Sequence, residues 1–367
     1  MIDNVKITLY GFSGSFKNCE YVRYFKSKKF GYEYNGYRLN RVGSGRTHLE
    51  IREYATGRMT IKGSLKKWYF KGNTRADLTK SEFIEVLEII AKKLKIPFDE
   101  ICRGAVTNCE IGQTVKIGKT KDSVDSILRS LVAYGDGRLR RKQVGTTVYF
   151  LEKGEFEEGK KKDRTKSLKI YDKVEEILVS KDAPPAEKRR METFQKLGIK
   201  FLRIEFTLNN KRAFRQSGLR NVNTLGDLIT YFSNLYEFWA YEIKRITVYS
   251  ALDEKKMSAK DIAFMSDLKK YEYPLFVEMK KGTCESDTEK GLKSAKSKVA
   301  RKINNLIVKN PSMENFRRTL LRWNVLIHLQ RKRKRGEEFL FLAENLFVDK
   351  EKVRFSNPCF TGTAGKK

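Results

Sequence analysis

Between Ser167 and Ile177 the chain reads SLKIYDKVEEI, an apolar alternation that breaks into charge just past a tyrosine. A phenol ionises near pH 10, so at neutral pH it attacks phosphorus poorly unless a base or a cation helps to remove its proton. As a strand, the stretch turns Leu168 and Ile170 one way and Lys169, Tyr171 and Lys173 the other. That alternation sets Tyr171 among cations and makes Lys173 the side chain that could assist it. Three further stretches offer polar faces by the same rule. FLRIEFTL leaves Arg203 and Glu205 opposite Leu202, Ile204 and Phe206; TNCEIGQT groups Glu110 with Asn108; THLEIREY groups Glu50 with His48 and Arg52. Where such faces coincide, a hydroxyl, a lysine and several carboxylates meet. Hard oxygen ligands such as Glu110 and Glu205 suit Mg²⁺ or Mn²⁺, which would polarise a phosphate during metal-assisted phosphoryl transfer. The same residue types are also what ordinary solvent-facing strands of a basic protein display.

The scarcity of histidine narrows the chemistry. With only His48 and His328 in the chain, no HxH or HExxH cluster can form, so zinc hydrolases and two-histidine nickases lack their metal ligands here. The run His328-Leu-Gln-Arg331 has the look of a tyrosine-recombinase box, but no tyrosine follows Tyr273 to serve as its nucleophile. A GxxxxGK[ST] phosphate loop is absent as well, which removes an ATP-driven motor. The five cysteines are scattered and form no CxxC pair, so they read as reduced, mostly structural thiols.

The positioning elements follow from periodicity. VKITLYGF, THLEIREY, RMTIKGSL, TNCEIGQTVKI, TTVYFLEK, SLKIYDK and FLRIEFTL alternate with period two and carry many β-branched and aromatic residues, predicting seven strands. Thr79 and Glu82 form a capping-box pattern ahead of Phe83, Val86, Leu87, Ile90 and Leu94, a helical face that Pro97 terminates. A second helix is expected over 122–133. Strands run in pairs instead of alternating strictly with helices, so the expected class is α+β, a mainly antiparallel sheet with flanking helices. The charged segments 152–166 and 181–192 are expected as loops around the Tyr171 unit. Beyond about residue 215 helical stripes take over, one through Leu228, Tyr231, Phe232, Leu235, Phe238 and Trp239, another through Phe316, Leu320, Trp323 and Ile327. The division expected is therefore a catalytic unit at 1–215 and a basic α-helical region at 216–367.

Lysine and arginine outnumber aspartate and glutamate 77 to 45, a formal charge of +32, which points to a polyanionic partner, foremost nucleic acid. Arg301 and Lys302 of KGLKSAKSKVARK and Arg331, Lys332 and Arg333 of RKRKR are the expected grip on DNA backbone, with Lys169 and Arg203 nearer the tyrosine. No run of about 18 apolar residues is present, and MIDNVKITLYGF lacks a basic-then-apolar leader, so a cytoplasmic protein without a membrane partner is expected.

In order along the chain, MIDNVKITLYGF, the strand and lysine-glycine-asparagine element of MTIKGSLKKWYFKGNTRADL, TNCEIGQTVKI, the Y-x-K of SLKIYDKVEEI and the R-x-E of FLRIEFTL resemble the gene II/X replication initiators of filamentous phages and their plasmid relatives. The likeness covers roughly residues 1–220. It implies a degenerate rolling-circle nickase fold and site-specific nicking of one strand at a phage or plasmid origin. It further implies a 5′-phosphotyrosyl intermediate on Tyr171, with Lys173 as the matching basic residue. Glu110 falls on the acidic position of an R-x-D element, Arg203 and Glu205 match R-x-E, and Glu176 matches a glutamate trailing the tyrosine. Glu110, Glu205, Glu50 and Glu176 form the expected ligand set for Mg²⁺ or Mn²⁺. Asn108 stands where the family has arginine, Glu110 where it has aspartate, and Tyr149 has no nucleophilic counterpart. Single-stranded or supercoiled origin DNA, a host helicase and a host polymerase are the implied partners. A mobilisation relaxase or transposition nickase with the same chemistry, and a non-catalytic DNA-binding regulator, are the alternatives.

Overall fold

The computed structural model describes residues 1–11, 22–29, 32–41, 47–117, 122–135, 139–152, 165–249 and 258–270, with short pieces at 295, 298–299, 302, 313–315, 326–331 and 338–342. In chain order the first half holds β1 (Ile2–Tyr10), β2 (Val22–Lys29), β3 (Tyr32–Asn40), β4 (His48–Tyr54), β5 (Arg58–Ser64), α1 (Leu65–Tyr69), α2 (Lys80–Leu94), α3 (Phe98–Cys102), β6 (Ala105–Ile117), α4 (Val124–Ser130), β7 (Leu131–Tyr134), β8 (Leu139–Val144) and β9 (Thr147–Glu152). Then follow β10 (Lys166–Asp172), α5 (Lys173–Val179), α6 (Pro185–Lys196), β11 (Lys200–Leu208), α7 (Lys211–Gln216), α8 (Leu225–Thr230), α9 (Phe232–Ile243), β12 (Ile246–Tyr249), α10 (Ala259–Lys270), β13 (Met313–Asn315), β14 (Leu326–Arg331) and β15 (Glu338–Leu342).

The fold is α+β. Ten strands run β2-β3-β4-β5-β1-β6-β11-β10-β9-β8 with every neighbour antiparallel, and a 12-stranded sheet is completed by β14, which pairs with β6, and β15, which pairs with β14. All seven strands predicted from alternation are present. The unforeseen β2, β3 and β8 are rich in tyrosine and charge, so they show no clean apolar face. One sheet face is apolar. Ile7, Ile111, Val115, Leu168, Ile170, Ile204 and Phe206 on it are buried against α2, α8 and α9 in one continuous core that also takes in residues beyond 215. Phe206 meets Phe238 edge-on at 5.7 Å between ring centroids, and the Trp239 indole N–H donates to Ile204 O at 3.1 Å. The predicted face of α2 is fully buried, and its capping box is formed by Thr79 and Glu82. Each such aliphatic or aromatic side chain contributes about 1.5–3 kcal/mol by leaving water.

Several expectations are corrected. The segment expected as a loop at 181–192 carries α6, a helix whose Pro185 presets the first turn although only Met191 of it is buried. The helix expected over 122–133 stops at Ser130, because Leu131 turns into β7. Lys173 is not a strand residue: β10 ends at Asp172, whose carboxylate accepts from the N–H groups of Val174 and Glu175 and starts α5. Residues 153–164 lie outside the described residues. Ile327 stands in β14, so the second C-terminal stripe is not one helix, while Phe316, Leu320 and Trp323 lie outside the described residues.

Candidate active site

The polar face of the sheet, opposite the core, carries the chemistry. Across β9, β10, β11 and β6 the register puts Thr147, Tyr171, Arg203 and Thr114 in one row and Tyr149, Lys169, Glu205 and Gly112 in the next. Strand alternation therefore brings Tyr171, Lys169, Arg203 and Glu205 together, while Lys173, which the alternation grouped with them, stands at the start of α5. Thr207 stands opposite Glu110 one row further on, so Glu110 joins them from β6.

The Tyr171 hydroxyl donates to Glu205 Oε1 at 3.0 Å, and its side chain is only 4% exposed. Lys169 Nζ lies 4.0 Å from the centre of the Tyr171 ring and 3.6 Å from Glu205 Oε2, with 37% of its side chain open to solvent. Lys173 Nζ is 5.8 Å from the same ring but spends its hydrogen bonds elsewhere, on Asn73 Oδ1 at 2.8 Å and Glu176 Oε2 at 2.7 Å. Asn73 also donates to Glu176 Oε1 at 2.6 Å, and its N–H is tied to Asp182 O at 3.1 Å. The preceding Gly72 (φ +159°) cannot be replaced without strain, since a Cβ there would stand 2.3 Å from Asp182 O. The glycine-asparagine element thus serves as a clamp on Lys173.

At the centre is Arg203, fully buried. Its guanidinium donates to Glu205 Oε1 at 2.9 Å, to Asp3 Oδ2 and Thr114 Oγ1 at 3.3 and 3.2 Å, and to Asp77 Oδ1. Asp77 also accepts from the Thr114 N–H at 2.9 Å and pairs with buried Lys66 at 3.3 Å. A guanidinium can satisfy several carboxylates at once because its five donors lie in one plane. Room for it comes from Gly112: a Cβ there would approach Glu205 Cγ to 2.8 Å and Arg203 Nη2 to 2.9 Å.

These neighbours set the ionisation. Burial would raise the Glu205 carboxyl, but Arg203 and Lys169 outweigh it and hold the group well below the usual carboxylate range. Glu110 is pushed well above that range by burial and by the charges of Glu205 and Asp3. Burial and the Glu205 charge raise the Tyr171 phenol well above its ordinary value. Burial and the nearby Lys66 lower Lys173 to about 8.

Asp3, Glu110 and Glu205 each place a carboxylate oxygen within 4.8 Å of the other two. Carboxylates are the donor class that Mg²⁺ and Mn²⁺ prefer, and three of them brought this close repel one another in a way that a divalent cation would relieve, so the donor set fits such an ion. Glu50 and Glu176 are outside this group. Glu50 lies on β4, beyond β5 from β1, bonded to Arg52 Nε at 2.6 Å, and Glu176 is committed to Lys173 and Asn73.

The expected DNA contacts separate. Lys169 sits at the rim of the site, whereas Arg203 is enclosed, because three carboxylates hold it inside. Lys302 lies 3.3 Å from Asp261 and 4.5 Å from the centre of the Phe264 ring. Arg331 closes β14, while Arg301, Lys332 and Arg333 lie outside the described residues. Sequence reasoning missed Asp3, Asp77 and Lys66, and it held Asn73 only as part of the lysine-glycine-asparagine element, with no role in the site. Asp3 reaches the site beside a register shift of β1 against β6 between Ile2 and Val5, and Asp77 comes from a non-strand connection, so no linear period announces either.

The phage CRI family model, which describes the N-terminal region of a replication-associated protein, matches residues 1–227. No curated protein and no solved structure matches the chain.

Proposed function

From the premise that the chain belongs to the phage CRI family of replication-associated proteins, we propose that it initiates rolling-circle replication by nicking one strand of a phage or plasmid origin and transferring it to Tyr171. The observation that carries this reading is the Tyr171 hydroxyl 3.0 Å from Glu205, itself one of three converging carboxylates.

In the transfer, Tyr171 Oη bonds to the scissile phosphorus while its proton passes to Glu205, the group that already accepts it. The bond from phosphorus to the 3′ oxygen breaks, the leaving oxygen takes up a proton, and the products are a 5′-phosphotyrosyl strand and a free 3′-OH. Rejoining reverses the step. The phenol is a weak acid here, so Lys169 over its ring supports the charge that builds on it. Arg203 holds Glu205 in position and keeps it ionised. Lys173, held by Asn73 and Glu176, stands behind the ring and fixes the start of α5. A divalent ion held by Asp3, Glu110 and Glu205 would polarise the phosphate and offset negative charge in the transition state. In this reading residues 1–215 perform the transfer and 216–367 grip the origin, and the 3′-OH is handed to a host polymerase behind a host helicase. Supercoiled DNA carrying the origin, incubated with Mg²⁺, tests it. The wild-type chain is expected to nick and to form a covalent adduct, Tyr171→Phe to lose both by at least about 10³-fold, and EDTA to abolish nicking while DNA binding persists. Full adduct formation by Tyr171→Phe would remove Tyr171 from the role. Salt-sensitive binding with no adduct under any metal would leave a DNA-binding regulator.

A further inference from the structure

Tyr149 is the residue beside the site that the transfer leaves without a task. It shares the polar face with Tyr171, standing opposite Lys169 on β10 and opposite Lys142 on β8. Its side chain is half-buried, and among the described residues no hydrogen bond is made by its hydroxyl and no ring packs on its face. A tyrosine in the middle of a sheet ordinarily finds one or the other. The row that runs from the site to the sheet edge is thus Glu205, Lys169, Tyr149, Lys142, with Lys142 exposed on the edge strand. Neighbouring strands are about 4.8 Å apart, so the backbone positions of the two lysines flank that of Tyr149 at roughly 5 Å on either side along this row.

Cations and an aromatic in one row are the combination that single-strand sites use: phosphates take the ammonium groups and a base takes the ring face. Resting on the nicking reading above, we propose that Lys169, Tyr149 and Lys142 form a track for single-stranded DNA, in which a base next to the scissile phosphate stacks on Tyr149. The track leaves the site toward β8, and it holds the strand by base stacking as well as by charge. Every base has a stacking face, so the contact anchors the strand without reading its sequence.

Fluorescence anisotropy of the full chain with a labelled thymidine oligonucleotide, and with an abasic deoxyribose-phosphate oligomer of the same length, separates stacking from charge. Tyr149→Ala is expected to weaken the thymidine oligonucleotide by about 5- to 150-fold, the range that stacking on an aromatic spans. Tyr149→Phe is expected to bind within about twofold of wild type, because the ring and not the hydroxyl does the holding. Both variants should bind the abasic oligomer like wild type, a result that a folding defect would not give. Lys142→Ala should weaken both oligomers alike and lower the salt slope by about 0.7. Unchanged binding by Tyr149→Ala, an equal loss on the abasic oligomer, or a loss in Tyr149→Phe as large as in Tyr149→Ala would each overturn the track. An adduct at Tyr171 together with unchanged binding by Tyr149→Ala removes the track and leaves nicking standing. No adduct in any variant together with the base-dependent loss in Tyr149→Ala removes nicking and leaves the track.

Discussion

Tyr171 is placed where its proton is hard to lose yet already shared in a hydrogen bond with a carboxylate. Burial and Glu205 raise the phenol, yet Glu205 is also the acceptor its hydroxyl already touches. Glu205 in turn depends on Arg203, and Arg203 depends on the absence of a side chain at residue 112. Gly112→Ala therefore has a defined consequence. Its methyl would press on Glu205 Cγ and Arg203 Nη2, an overpacking that costs about 1–3 kcal/mol. The expected result is a lower thermal midpoint together with a nicking rate that falls further than the stability loss explains. An alanine variant with wild-type nicking would show that the guanidinium can shift without disturbing Glu205. The sequence pointed to Tyr171, Lys169, Glu110 and Glu205 because alternation alone places side chains on a face. It could not separate Arg203 as a phosphate contact from Arg203 as the buried centre of an ion cluster, since both readings show the same letter at the same parity.

The junction of β10 and α5 does the positioning at the scale of elements. Asp172 ends the strand one residue after Tyr171 and caps the helix on which Lys173 and Glu176 stand. Replacing an N-cap aspartate by alanine costs about 0.5–2 kcal/mol. Asp172→Ala should show that loss in a denaturant melt and a slower transfer step, while Asp172→Asn, which keeps the acceptor, should recover most of both. Equal activity for the alanine and wild-type chains would mean that the clamp at Asn73 holds Lys173 without the cap. The elements themselves were legible where burial is one-sided, as in β10, β11 and α2. They were not legible where nearly everything faces water. The helix α6 buries one residue, and β8 reads LRRKQV, so neither leaves a periodic trace.

The whole molecule gathers buried anions around buried cations, which ties its stability to pH. Burial alone would raise Glu205, Asp77 and Glu176, but Arg203 for the first two and Lys173 for the third bring all three below their ordinary values. The unfolded chain then binds protons more tightly than the folded one, so this stability is fully present above about pH 4.5 and is lost as pH falls toward the folded values. The thermal midpoint, followed by circular dichroism from neutral pH to about pH 3, should drop steeply in the acid range and less steeply in Asp77→Asn. A flat profile in both chains would show that the cluster contributes little to folding. Among the described residues no helix is long and apolar enough to cross a membrane.

The sequence by itself determined the class of sheet, the polar face and the strongly basic balance of the chain, because period, parity and composition are properties of the chain itself. It also carried the resemblance to the family whose model matches residues 1–227. Only the tertiary structure decided which carboxylates converge. Asp3, Asp77 and Glu205 meet one guanidinium across separations of up to 200 residues. Such a meeting is set by strand order, by the register shift of β1 against β6 and by the space left at Gly112, none of which has a period to read.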